Sequence, residues 1–394
     1  ADALLVDTWV MRERADLTLP PSAYALEPTD VVTLELNGRA FEMRIDQLGY
    51  ERSRPARLVR TDEATYGTPD APSPSRQPRP EAEPGPAVLH IMDLPVLAAS
   101  EVPGVPRLAA YAEPWARVDV FRSPSTSGFV RDQFIVNRAT IGKTLFDFYS
   151  GPLWTWDLAN SLYVQLPSMQ ALASLDDAFV LAGGNTCAIQ NADGEWEILQ
   201  FATAELIAPD QYRLTRFLRG QFGSEYAMRN PVAAGAPFVM LDATVIQSTI
   251  AVTERHNPWT WKWGPSTKAI DDPTYQAVTF SFDGVGLRPY SPVHLAGVRD
   301  PSTSDWTLAW IRRTRIDGDN WEAPDVPLGE EVELYDIDVI DIGSGAVKRT
   351  ARVDEPTFLY TAAMQVADFG ANQSEVKFAV YQVSLAYGRG TGAI

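Results

Sequence analysis

The residues of this chain best suited to chemistry first cluster in YRLTRFLRGQFGSEYAMRN, Tyr212 to Asn230. Four arginines and two glycines, Gly220 and Gly223, stand there inside a protein of net charge −18. Glycines following a strand suit a phosphate-gripping loop, in which backbone N–H groups converge on an anion at a helix N-terminus. No Gly-Lys-Ser/Thr follows here, and the next residues, NPVAAGAPF, hold too much Pro and Gly for a long helix. The stretch therefore reads as a hairpin strand ended by a sharp turn, with Arg219 donating to carbonyls or to Glu225. GRGTG, Gly388 to Gly392, has no helix after it and reads as a frayed Gly-rich tail.

Paired carboxylates offer a second chemistry. Glu330-Glu331 and the set Asp336, Asp338 and Asp341 suggest a glycosidase pair or a calcium site, but glycosidase carboxyls must flank one bond across a cleft. In EVELYDIDVID the alternation sends Asp336 and Asp338 to one face and Tyr335, Ile337 and Val339 to the other, which predicts a half-buried strand with a solvated acidic face. Asp317, Asp319 and Asn320 crowd one turn without the 12-residue calcium-loop pattern. The tryptophans offer a third. Trp259, Trp261 and Trp263 share one face of a strand in NPWTWKWG, and Trp154 and Trp156 repeat the theme in GPLWTWD. Aligned indoles serve as core, as interface anchors or as platforms for sugar rings.

Other chemistries lack their residues. The single cysteine, Cys187, allows no internal disulfide, and His90, His256 and His294 have no partner at metal-ligand spacing. No serine-hydrolase elbow or nicotinamide fingerprint occurs. The expectation is a chain that is not an enzyme and takes no cofactor and no metal. A pI near 4.6 argues against general adhesion to nucleic acid. No apolar run approaches the roughly 18 residues that cross a bilayer.

The elements that must position these residues are mostly strands. The first residues read as the end of an amphipathic helix, which suggests a piece of a longer protein. DVVTLEL and FEMRIDQL flank Asn37-Gly38, the strongest short hairpin signal. Gly67 to Ala87 carries seven prolines in 21 residues and reads as a linker. AFVLA, TCAIQ, EWEILQFATAEL and YRLTRFL predict a meander, with one helix in LPSMQALASLDD on the stripe Met169, Leu172 and Leu175. The last hundred residues give five to seven strands at sandwich spacing, with Trp310 placed to fill the core. The predicted fold is mainly β and multidomain: residues 1–66 (helix plus hairpin), a linker at 67–87, a β-rich barrel or meander domain at 88–290, and a β-sandwich at 291–394.

Several of these blocks, in order, resemble one family. YRLTRFLRGQFGSEYA with AAGAPFVMLD, carrying Arg219, Gly220, Gly223 and Glu225, is similar to a stretch of phage tail-tip and baseplate hub proteins. DVVTLELNGRAFEMRIDQL, after a helix and LPPSAYALEP, resembles their hub segment. GLRPYSPVHL, LAWIRRTRIDGDNWEAPDVPLGEEVELYDIDV and VYQVSLAYGRGTGA resemble the C-terminal part of the large TIM-barrel-containing baseplate proteins of gene transfer agents. One departure is Gln221-Phe222, where relatives commonly carry basic residues. The resemblance implies a virion structural protein of the tail tip, assembled in the bacterial cytoplasm. It further implies a homotrimeric hub bound to other baseplate proteins, contact with a cell-surface glycan or receptor, and DNA only in transit. It makes the last domain fibronectin type III-like and puts a glycoside-hydrolase-like barrel upstream. The rival reading is a carbohydrate-binding accessory region of a cell-wall-active or polysaccharide-active glycoside hydrolase, using Trp259, Trp261 and Trp263.

Overall fold

The computed structural model describes residues 2–50, 53–62, 83–316, 318 and 326–394. Residues 67–82 of the Pro-rich segment, and Asp317, Asp319 and Asn320, lie outside the described residues. The chain divides into two compact units, Ala1–Glu81 and Ala82–Ile394.

The first unit opens with the helix Asp2–Val10 and continues as four antiparallel strands: β1 (Arg14–Leu19), β2 (Val31–Leu36), β3 (Arg39–Leu48) and β4 (Arg54–Arg60), in the order β1-β4-β3-β2. Asn37 and Gly38 join β2 to β3 at φ 51° and 77°. Two positive φ values make a type I′ turn, whose twist matches that of the flanking strands. Period-two alternation then gathers Met43, Ile45, Ala56 and Leu58 into one small core.

The second unit begins as a sandwich. Its strands are β5 (Val88–Met92), β6 (Arg107–Tyr111), β7 (Val118–Ser123) and β8 (Val130–Ile135). A closed six-stranded barrel interrupts it: β9 (Ile141–Thr144), β10 (Trp156–Gln165), β11 (Thr186–Gln190), β12 (Trp196–Ala208), β13 (Gln211–Leu218) and β14 (Pro237–Met240). The sandwich then resumes with β15 (Ile246–Gln247), β16 (Trp259–Pro265) and β17 (Gln276–Phe280). Its sheets are β15-β6-β5 and β17-β16-β7-β8.

A second sandwich follows, of β18 (Val293–Arg299), β19 (Trp306–Ile311), β20 (Tyr335–Ile340), β21 (Val347–Val353), β22 (Thr357–Tyr360), β23 (Lys377–Ser384) and β24 (Gly388–Ala393). Its sheets are β18-β19-β22 and β21-β20-β23-β24. Deleting the barrel from the first sandwich leaves the same strand order: first, second and fifth strands in one sheet, the other four in the opposite sheet. Both are fibronectin type III-like, and the span 88–290, expected as one domain, is a sandwich split by an inserted barrel.

The cores explain why the insertion is stable. β6 is buried on both faces. Leu108 and Ala110 meet Trp261 and Trp263 inside the first sandwich. Ala109 and Tyr111 face the other way and share a core with Ala188, Trp196 and Val239 of the barrel. The second sandwich has a separate core, in which Trp310 is 4% exposed and meets Tyr335 edge to face at 5.2 Å.

Four expectations are corrected. LPSMQALASLDD is not helical before Asp177; it turns at Ser168 and Met169 and then runs as irregular chain whose backbone bonds to other elements. Asn185 donates to the Ala173 carbonyl, and Leu175 N–H reaches Ala202 O. The short helix is Asp177–Leu181, where a strand was expected, with only Val180 turned inward. GRGTG is strand β24 and not a frayed tail, because Arg389 donates to both Asp336 and Asp338. Those two aspartates face away from the core as the alternation predicts, yet they are buried, roofed by Arg389 and by Arg352 directly across the sheet. The Arg389 fork accordingly holds the Asp338 carboxyl below its ordinary range.

Candidate functional site: a docking turn between domains

The arginine stretch builds a turn from a buried charge. After β13 the chain places Arg219 at 1% exposure, turns through Gly220 at φ 56°, and enters Gln221–Ala227, 3-10 turns broken by a kink at Phe222 and Gly223. Arg219 Nε and Nη2 donate to the two carboxylate oxygens of Glu197 at 2.7 and 2.8 Å. Its Nη1 reaches the Tyr149 carbonyl at 2.9 Å and Asp157 at 3.4 Å. The guanidinium lies 4.1 Å from the Phe148 ring centroid. Gly220 N–H also donates to Glu197, so one carboxylate fixes both the arginine and the start of the turn. This planar, bidentate geometry suits guanidinium and not ammonium. The expected carbonyl partner is present in Tyr149. Glu225, the expected acidic partner, is not; it points the other way.

Glu225 instead faces the second sandwich. It accepts from Ser291 Oγ at 2.8 Å and pairs with Arg313, which also lies 5.0 Å from the Tyr290 ring. Tyr290 packs on Gly223, where a Cβ would sit 2.3 Å from the ring. Burial pushes its phenol up to about 12, so it stays neutral. Arg288 lies between Tyr226 of the turn, at 4.4 Å, and Tyr387 of the second sandwich, whose hydroxyl accepts from Nε at 2.8 Å. Asp93 of the first sandwich accepts from the N–H groups of Asp283, Gly284 and Val285. Burial pushes the Asp93 carboxyl up to about 6, against the lowering pull of those three donors. The turn is thus where barrel, first sandwich and second sandwich meet.

Gly223→Ala tests this seat. The residue lies at φ 74° with Tyr290 against it, so the added methyl both strains the backbone and collides with the ring. The expected loss is roughly 2–4 kcal/mol in chemical denaturation of the full chain. Gly235→Ala, at φ 88° with nothing within 4 Å, carries only the backbone part, about 1 kcal/mol. Equal losses in the two variants would remove Tyr290 from the account.

The tryptophans separate. Trp261 and Trp263 are 0% and 6% exposed, so their proposed roles as interface or sugar platforms are corrected to core. Trp263 Nε1 donates to the Ala87 carbonyl at 2.8 Å. Trp259 is partly buried beneath Arg122. On the barrel, Trp156 is partly covered by Arg216, and Trp154 is 69% exposed. Glu197, Asp157, Arg288, Tyr290 and Arg313 escaped the sequence reading. The one signal for Glu197 was a lone carboxylate inside the apolar run WEILQF, which needs a partner once buried.

Among the described residues, no three His, Cys, Asp or Glu side chains gather to hold a metal ion, and no helix is long and apolar enough to cross a membrane. Cys187 is fully buried, and burial pushes its thiol up.

Among curated proteins none matches the chain. A crystal structure of domains A168–A170 from titin matches at 8% identity over 79% of this chain and 97% of its own length. Its TM-score is 0.20, too slight to bear on the fold. Residues 139–239 match the family described as Rcc01698-like, C-terminal, and these bounds coincide with the inserted barrel. Residues 1–48 match the family described as putative phage tail protein, within the first unit. These two matched segments relate the chain to phage tail proteins.

Proposed function

We propose that the chain is a structural component of a phage-like tail baseplate, at the hub or tip, acting through assembly and not through catalysis. The observation that carries the reading is the pair of family matches, one on the first unit and one on the barrel. Its partners are then other tail proteins and copies of itself, most simply in a trimeric hub. The net charge of −18 supports a wall along which DNA passes without sticking. A cell-surface glycan or receptor would meet the exposed surface, and exposed Trp154 is the best placed aromatic for it.

The test is assembly. The purified chain and its full-length parent are weighed in solution, and labelled protein is located on tails by electron microscopy. A trimeric parent with label at the distal end of the tube supports the reading. Label spread along the tube, or turnover of polysaccharide or peptidoglycan by the chain, overturns it.

A further inference from the structure

The two joints around the first sandwich are built from different forces. The barrel is fused to it by a common apolar core, Ala109 and Tyr111 with Ala188, Trp196 and Val239. The second sandwich contributes nothing to that core; its own apolar cluster, around Trp310 and Tyr335, is self-contained. Arginines hold it instead. Arg313 reaches Glu225 of the barrel, Arg288 bridges Tyr226 and Tyr387, Arg255 of the first sandwich donates to the Ala386 carbonyl, and Arg315 donates to Gly286 O. Tyr290 on Gly223 is the apolar exception.

We propose that this second joint is a charge-pinned latch, from which the second sandwich undocks as a unit while the barrel stays fixed to the first sandwich. The hinge lies between Val285, tethered through its N–H to Asp93, and Val293, the first residue of β18. The asymmetry follows from what each joint buries. Separating a shared apolar core exposes that core to water. Separating arginines from one carboxylate, from phenols and from backbone carbonyls returns polar groups to solvent, where they recover hydration. A tail component built this way keeps a rigid barrel and sandwich while its last domain changes direction.

The experiment measures distances in the full chain by pulsed electron resonance. Spin labels go on exposed turns at Ala192→Cys (barrel), Thr126→Cys (first sandwich) and Thr303→Cys (second sandwich), while buried Cys187 stays unlabelled. The Ala192–Thr303 distribution is expected to be narrow in the otherwise unchanged protein. In Arg288→Ala/Arg313→Ala it is expected to roughly double in width. Raising salt from 0.1 to 1 M, which shortens the Debye length from about 10 to about 3 Å, shifts the unchanged protein the same way to a smaller extent, because the one ion pair, Arg313–Glu225, is mostly buried. The Ala192–Thr126 distribution is expected to stay narrow throughout, which also certifies that the variant folds. A narrow Ala192–Thr303 distribution in the double variant overturns the latch, since Tyr290 packing would then suffice. Equal broadening of both pairs overturns it too, since the two joints would then be alike.

Discussion

Arg219→Met is expected to destabilise the unit Ala82–Ile394 by about 3–5 kcal/mol, the loss typical of stranding a buried charge. Both side chains of the Arg219–Glu197 pair are fully buried. Among the described residues, removing the guanidinium leaves Glu197 with only the Gly220 N–H, and leaves the Tyr149 carbonyl without the Nη1 donor. Asp157 suffers less, because the N–H groups of Ala159 and Asn160 and the Asn160 amide already serve it. The signature that separates a stranded charge from lost packing is the double variant. Arg219→Met/Glu197→Leu is expected to recover more than half of the loss, since an apolar replacement of a whole buried pair is often neutral. Arg219→Lys keeps the charge without the fork and is expected to fall between wild type and Arg219→Met. Urea titration of the three variants, followed by the fluorescence of the barrel tryptophans, reads all of this. A loss under 1 kcal/mol for Arg219→Met, or a double variant worse than the single, would mean that the pair contributes little.

How much of this could be read from the sequence depends on the range of the interactions. Local rules sufficed where local chemistry decides. Asn37-Gly38 demands two positive φ values and produces its hairpin, and alternation in YDIDVI separates Tyr335, Ile337 and Val339 from Asp336 and Asp338 in the folded strand. The turn at Gly220 was legible for the same reason. Local rules failed where a distant residue changes the environment. Asp336 and Asp338 read as solvated because nothing nearby in sequence announces that Arg389, about fifty residues on, roofs them. The stripe Met169, Leu172 and Leu175 has helical spacing, yet Leu172 alone packs into the barrel core while Met169 is exposed. The split of the first sandwich was the largest omission. β8 and β15 flank the barrel, and only pairing across 138 residues joins Ile246 to Leu108. Glu225 illustrates the same limit within the site: its proximity to Arg219 in sequence suggested a pair, while the fold aims it at Arg313.

Trp261→Ala is expected to cost about 3–5 kcal/mol, the range for truncating a fully buried large aromatic. Trp261 is 0% exposed, in the core of the first sandwich beside Trp263, so the cavity would open in a region backed by two sheets. This changes what the variant can say about function. Loss of glycan retention in Trp261→Ala would follow from unfolding as readily as from a lost sugar contact. Trp154→Ala is the informative partner, because an exposed indole is expected to change stability by less than about 0.5 kcal/mol. Affinity gels containing cell-wall or capsular polysaccharide, run with both variants beside a thermal melt, then separate the roles. Unchanged migration of wild type and Trp154→Ala, with a lowered melting temperature confined to Trp261→Ala, removes Trp154 as a glycan contact and leaves assembly alone. Retardation of wild type that disappears in Trp154→Ala at an unchanged melting temperature would give the barrel a sugar-binding face, the contact proposed for Trp154 in a host-facing tail tip. A Trp261→Ala protein of undiminished stability would contradict the sandwich itself, since the pairing of β16 with β7 places that indole inside its core.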